Sequence, residues 1–148
     1  FSRIMSLKDG SKKMSKSELS DLSRINLTDN KDEIVNKIKK AKTDPLPMPK
    51  TLKELDERAE VKNLIGIYSS LTNSNLEKSV ESFAGKNFSE FKEKLSEVLV
   101  DKIEPISVEI KKLLDNQSYL DSILLDGAER ANLVATNKIK KIKEIVGF

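Results

Sequence analysis

Histidine and cysteine are both missing from these 148 residues. Their absence excludes a disulfide framework, a thiol nucleophile, a histidine-based metal site and imidazole acid–base chemistry. Tryptophan is absent as well and aromatics make up only 5% of the chain, so a core must be built mainly from aliphatic side chains. No apolar run approaches the roughly 20 residues that span a bilayer, and the first residues lack the charged-then-apolar layout of a signal peptide. The expectation is a cytoplasmic protein with no membrane partner.

What is present suits soluble amphipathic helices. Charged residues form 34% of the chain, and apolar residues recur at helical spacing. A chain of this length fits one ordinary domain, or a small domain plus a piece of a neighbour, and buries about two-thirds of its unfolded surface. The net charge of +3 conceals a division: residues 1–50 carry +5, residues 51–137 carry −5 and residues 138–148 carry +3. A polyanion would meet the two ends first.

Residues 1–7 read as an apolar strand with no partner strand downstream, and the chain opens on Phe1, which suggests a cut through a larger protein. A loop follows over residues 8–17, with a turn at Asp9-Gly10-Ser11 and charge projected by Lys12, Lys13 and Lys16. Thr28, Asp29 and Asn30 offer capping oxygens, and Glu33 stands three residues after Asn30 as in a capping box, so a helix is predicted to about Lys42. Asp44-Pro-Leu-Pro-Met-Pro49 cannot continue it and reads as a semi-rigid linker.

Beyond the linker the pattern is helical almost throughout. A helix is predicted over residues 57–72, a short one capped by Ser74 and ending near Gly85, and a third from Asn87 with Phe91, Leu95, Val98 or Leu99, Ile103, Ile106, Ile110 and Leu113 on one buried face, kinked at Pro105. The last begins near Ser118 with a stripe of Leu120, Leu124, Ala128, Ala131, Val134 or Ala135, Ile142 and Ile145. The expected fold is mainly α, an antiparallel helical bundle preceded by a short strand-and-loop piece. Phe83, Phe88, Phe91 and Tyr119 recur at helical spacing and read as core rather than as platforms for nucleic-acid bases.

One short motif carries chemistry. Lys13-Met14-Ser15-Lys16-Ser17 places two ammonium groups and two hydroxyls on an exposed loop. Such a set suits a reaction in which negative charge builds on leaving phosphates: the lysines approach as point charges while hydroxyls and loop amides donate hydrogen bonds. Alone, the pentapeptide reads more readily as a solvated lysine-rich loop. Its surroundings add to it: Arg3-Ile4-Met5-Ser6-Leu7, the Asp9-Gly10 turn, Ser20 to Leu27, Ala41-Lys42-Thr43-Asp44, Glu60 to Leu64 with Ile67-Tyr68, Gly127 to Ala131 and Glu144 to Phe148. With these the chain resembles, over essentially its whole length, the tryptophanyl branch of the class I aminoacyl-tRNA synthetases.

That resemblance implies an enzyme that activates L-tryptophan with ATP and transfers it to its tRNA, as a homodimer when complete. It implies that Ile4, Lys13, Met14, Ser15, Lys16 and Ser17 bind ATP, that Lys13 and Lys16 act in catalysis, and that Mg2+ accompanies the phosphates with no protein ligand assigned. Residues 1–28 become the edge of a Rossmann-like catalytic domain, residues 29–50 a connecting helix and linker, and residues 51–148 an anticodon-side helical domain. The histidine-bearing HIGH signature cannot lie in this chain, nor does the amino-acid pocket, so the chain alone is expected to be inactive. Two lysine clusters, Lys37, Lys39, Lys40, Lys42 and Lys138, Lys140, Lys141, Lys143, suit a tRNA backbone or, equally, a solvated helix face. A non-catalytic module binding nucleic acid or protein, and a tyrosyl relative, remain as alternative readings.

Overall fold

Capping chemistry sets where the helices begin. The computed structural model describes residues 3–147, and among them lie α1 (Lys31–Lys39), α2 (Leu52–Asp56), α3 (Ala59–Leu71), α4 (Leu76–Phe83), α5 (Phe88–Asp115) and α6 (Gln117–Val146), with a 3-10 turn at Asp21–Ser23. The side chain of Asn30 accepts from the Glu33 amide at 3.0 Å, and the Glu33 carboxylate accepts from the Asn30 amide at 2.7 Å, the reciprocal capping box. Neither Thr28 nor Asp29 joins it. At α4 the cap falls on Asn75 rather than Ser74, its side chain accepting from the Lys78 amide at 2.8 Å.

The helix predicted over residues 57–72 is α3, Ala59–Leu71, and a further short helix that the sequence reading did not place, α2, precedes it. Between them Arg58 turns back on the Asp44 carboxylate with bonds of 2.6 and 2.8 Å and donates to the Pro47 carbonyl at 2.8 Å. The proline-rich segment is thereby packed down. Met48 is buried, its amide donates to the Lys86 carbonyl at 2.9 Å, and its carbonyl accepts from the Gly85 amide at 3.0 Å.

The described residues divide between Val108 and Glu109 into two compact units. The first has a core of Ile34 and Ile38 from α1, Leu55 from α2, Val61, Leu64 and Ile65 from α3, Val80 and Phe83 from α4, and Phe91, Leu95 and Leu99 from α5. Phe83 meets Tyr68 and Phe91 edge-on at ring separations of 5.0 and 4.9 Å, each such pair adding about 1 kcal/mol beyond its burial. The Lys92 ammonium closes the end of α1 by donating to the carbonyls of Lys39 and Ala41 at 3.1 and 2.7 Å, and burial pushes its pKa down.

Three expectations are corrected. The strand over residues 1–7 is absent: Phe1 and Ser2 lie outside the described residues, and from Arg3 onward there is only a single antiparallel bridge, Met5 to Lys13. One hairpin arm is too little to make a ladder. The buried face of α5 stops at Leu99 and Ser107, with Ile106 and Leu113 exposed, although α5 runs through Pro105 as one helix. The stripe of α6 has no buried residue among those described, and Tyr119 is half exposed. Periodicity records an apolar face and does not supply the surface that covers it.

Candidate functional site

The loop of interest is built as a tight antiparallel turn-back. The Asp9 carboxylate accepts from the Ser11 amide at 3.0 Å and the Ser11 hydroxyl at 2.6 Å, and these bonds hold its pKa below the ordinary 3.8. On either side of the Met5–Lys13 bridge, the Met14 amide donates to the Ile4 carbonyl at 3.1 Å and the Ser6 amide donates to the Lys12 carbonyl at 2.8 Å. Met14 is half-buried against the hydrophobic core, which turns Lys13, Ser15 and Lys16 outward. The hydroxyls of Ser15 and Ser17 share a hydrogen bond of 3.0 Å.

These residues border an open pocket of about 640 Å³ lined by Arg3, Ile4, Lys13, Met14, Ser15, Lys16 and Ile25. Five of the six residues singled out in the sequence therefore meet at one place, and Ser17 stands beside it. Arg3 and Ile25 were not assigned a site role from sequence. Arg3 was legible as the neighbour of Ile4; Ile25 was not, because it arrives from an irregular segment. Three cations and no carboxylate line this pocket, which suits a polyanion. Other lysines nearby are engaged elsewhere: Lys12 pairs with Asp9 at 3.5 Å and Lys8 donates to the Ser20 hydroxyl at 3.3 Å.

Residues 20–29, of which 20–27 show no regular period, support the loop from behind. Arg24 donates to the Glu18 carbonyl at 2.8 Å and pairs with Asp21 at 3.0 Å, while the Lys37 ammonium of α1 meets Asp21 at 2.6 Å and Asp29 at 2.7 Å. Burial works against the Lys37 charge, but the hydrogen bonds to Asp21 and Asp29 outweigh it and its pKa is raised. Lys37 is thus withdrawn from the first lysine cluster, and Lys42 is paired with Glu60 at 2.8 Å. Lys39 and Lys40 remain exposed, as do Lys138, Lys140, Lys141 and Lys143 on α6.

A lysine-and-serine loop thus borders an open cationic pocket beside a set of helices. The chain belongs to the tRNA synthetases class I (W and Y), whose family model matches residues 1–103. Within that family it is similar to curated tryptophan–tRNA ligases: 47% identical to those of Mesorhizobium japonicum, Caulobacter vibrioides and Rickettsia felis, over 99% of this chain. It spans 41 to 44% of the length of those relatives. Among solved structures it resembles a tryptophanyl-tRNA synthetase from Mycoplasma pneumoniae, at 28% identity and a TM-score of 0.61, covering 74% of this chain and 35% of that one. Among the described residues no helix is long and apolar enough to cross a membrane.

Proposed function

We propose that this chain is part of a tryptophan–tRNA ligase, supplying the loop that holds the ATP phosphates and helices that bear on the tRNA. The observation carrying this reading is the convergence of Lys13, Lys16 and Arg3 on one pocket with Ile4, in a chain whose relatives are tryptophan–tRNA ligases. Residues 1–28 serve as the edge of the nucleotide-binding fold, residues 29–50 as the connection and residues 51–148 as the tRNA-side region. The family match and the relatives' names do not favour the alternative of a non-catalytic module.

In this reading the tryptophan carboxylate attacks the α-phosphorus of ATP, tryptophanyl-adenylate forms and pyrophosphate leaves. Charge accumulating on the leaving phosphates is met by the Lys13 and Lys16 ammonium groups, while Ser15 and Ser17 donate hydrogen bonds and Ile4 lies against the adenosine. Mg2+ would accompany the phosphates and supply further neutralisation, with no carboxylate among the residues lining the pocket. The adenylate's acyl group then passes to the tRNA. The pair of signatures needed for activation is incomplete in a chain without histidine, so the chain alone is inactive, and the complete enzyme works as a cytoplasmic homodimer.

The test is ATP–pyrophosphate exchange in a complete ligase carrying this segment, with Lys13→Ala and Lys16→Ala. Each is expected to lower kcat about a hundredfold, the scale of losing one donor aimed at developing charge. Unchanged exchange in both variants would sink the assignment.

A further inference from the structure

Within the turn-back, Met5 and Lys13 form a pair whose own amide and carbonyl groups do not bond each other; the bonds are made by their neighbours. The peptide groups of Met5 therefore point to the opposite edge, where a further strand would normally pair. That edge is occupied by one side chain. The Met5 amide donates to Asn63 Oδ1 at 2.8 Å, and Asn63 Nδ2 donates to the Met5 carbonyl at 2.8 Å, so the primary amide imitates a strand's peptide group. Asn63 lies on α3, is 2% exposed and sits among core residues.

A second contact joins the same helix to the same loop. Gly10, at the turn, is buried so closely against the start of α3 that a Cβ there would lie 2.6 Å from the Ala59 carbonyl carbon and 2.6 Å from the Glu60 nitrogen. Backbone meets backbone, and no flexible side chain can yield. Lys13 is thus held at two removes by α3: its bridge partner is clamped by Asn63, and the turn that returns the chain to it is seated on Ala59 and Glu60.

We propose that Asn63 is a positioning residue for the lysine loop, fixing the register in which Lys13 and Lys16 reach the phosphates of ATP. The proposal rests on the reading of that loop as the ATP-phosphate site. It makes α3, remote in sequence and outside the pocket lining, part of the device that sets the geometry of nucleotide activation. Asn63 touches no substrate; it acts through Met5. An aspartate at this position keeps the shape and one acceptor but sets a carboxylate against the Met5 carbonyl, so Asn63→Asp isolates the hydrogen-bonding role from the packing role.

The experiment measures ATP–pyrophosphate exchange in a complete ligase carrying this segment, with Asn63→Ala and Asn63→Asp, alongside mass-mapped trypsin cleavage after Lys13 and Lys16. Expected is a rise of about tenfold in the ratio of KM to kcat for ATP, the scale of two lost hydrogen bonds, with the KM for tryptophan unchanged and faster cleavage at both lysines. A merely structural residue would lower the active fraction and leave the KM for ATP where it was. If Asn63→Ala does not fold, Asn63→Asp decides alone. Variants that match the wild type in ATP kinetics overturn the proposal, whatever their thermal stability. A wild-type enzyme with no exchange activity would instead refute the ATP reading, and accelerated cleavage in the variants would then still report the clamp.

Discussion

Lys37 and Asp29 form a buried ion pair: Nζ lies 2.7 Å from the carboxylate, and the two side chains are 4% and 6% exposed. Breaking such a pair from one side leaves a charge stranded out of water, a cost of about 3 kcal/mol or more. Lys37→Met is therefore expected to destabilise the fold by about that amount, read as a lowered urea midpoint with unchanged slope. A shift below about 0.5 kcal/mol would show that Asn26, which donates to Asp29 from its amide and side chain, carries the aspartate unaided.

Acid acts on a different set of contacts. Burial raises the Asp44 pKa, but the Arg58 hydrogen bonds more than reverse this and hold it below 3.8. Glu60 is likewise held below 4.5, chiefly by its hydrogen bond from Lys42. A depressed carboxylate pKa contributes stability that is present above the unfolded value and is lost as pH falls through the folded one. Stability should therefore drop as pH falls below 4.5 for the Glu60 part and below 3.8 for the Asp44 part, and Arg58→Met should flatten the Asp44 part while lowering stability at neutral pH. Urea unfolding at neutral and acid pH checks both; parallel curves for wild type and variant would refute the Asp44 assignment.

Burial separates two apolar residues that periodicity treated alike. Phe91 is fully buried and packs on Phe83, so Phe91→Ala should cost about 4 kcal/mol. Ile142 is 53% exposed on α6, and Ile142→Gln should change stability by less than about 0.5 kcal/mol. Thermal unfolding of the two variants tests this, and a comparable loss at both sites would mean that the α6 stripe is covered in solution.

The lysines of α6 give a salt-dependent prediction. Replacing Lys138 and Lys141 by glutamine should weaken binding to tryptophan tRNA and to an unrelated tRNA alike, lowering the slope of log affinity against log salt by about 0.7 to 0.9 per contact removed. Fluorescence anisotropy at two salt concentrations reads it. Lys37→Gln should leave the slope unchanged, because that ammonium is already held by Asp21 and Asp29.

Helix identity was legible where local chemistry decided it. Asn30 and Glu33 announce their capping box in sequence, and the structure contains it. The short helix α2 and the turn that follows it were not legible, because Arg58 looks like any helix former until Asp44 and the Pro47 carbonyl are seen to claim its guanidinium. At the candidate site, residues 13–17 were recognisable from the motif, and Ile4 from the resemblance. Asn63 was quoted only as part of a resembling run: no local pattern reveals that its amide finishes an edge 58 positions earlier. Long-range backbone contacts of this kind leave no period in the sequence.

That separation of 58 positions also sets an order in time. A ribosome adding about 5 to 20 residues per second completes Met5 about 3 to 12 seconds, and the lysine loop about 2 to 9 seconds, before it reaches Asn63. Through that interval the nascent loop has its motif but not its edge, and Gly10 has no helix to rest on. The loop is read from the message before the helix that gives it its shape.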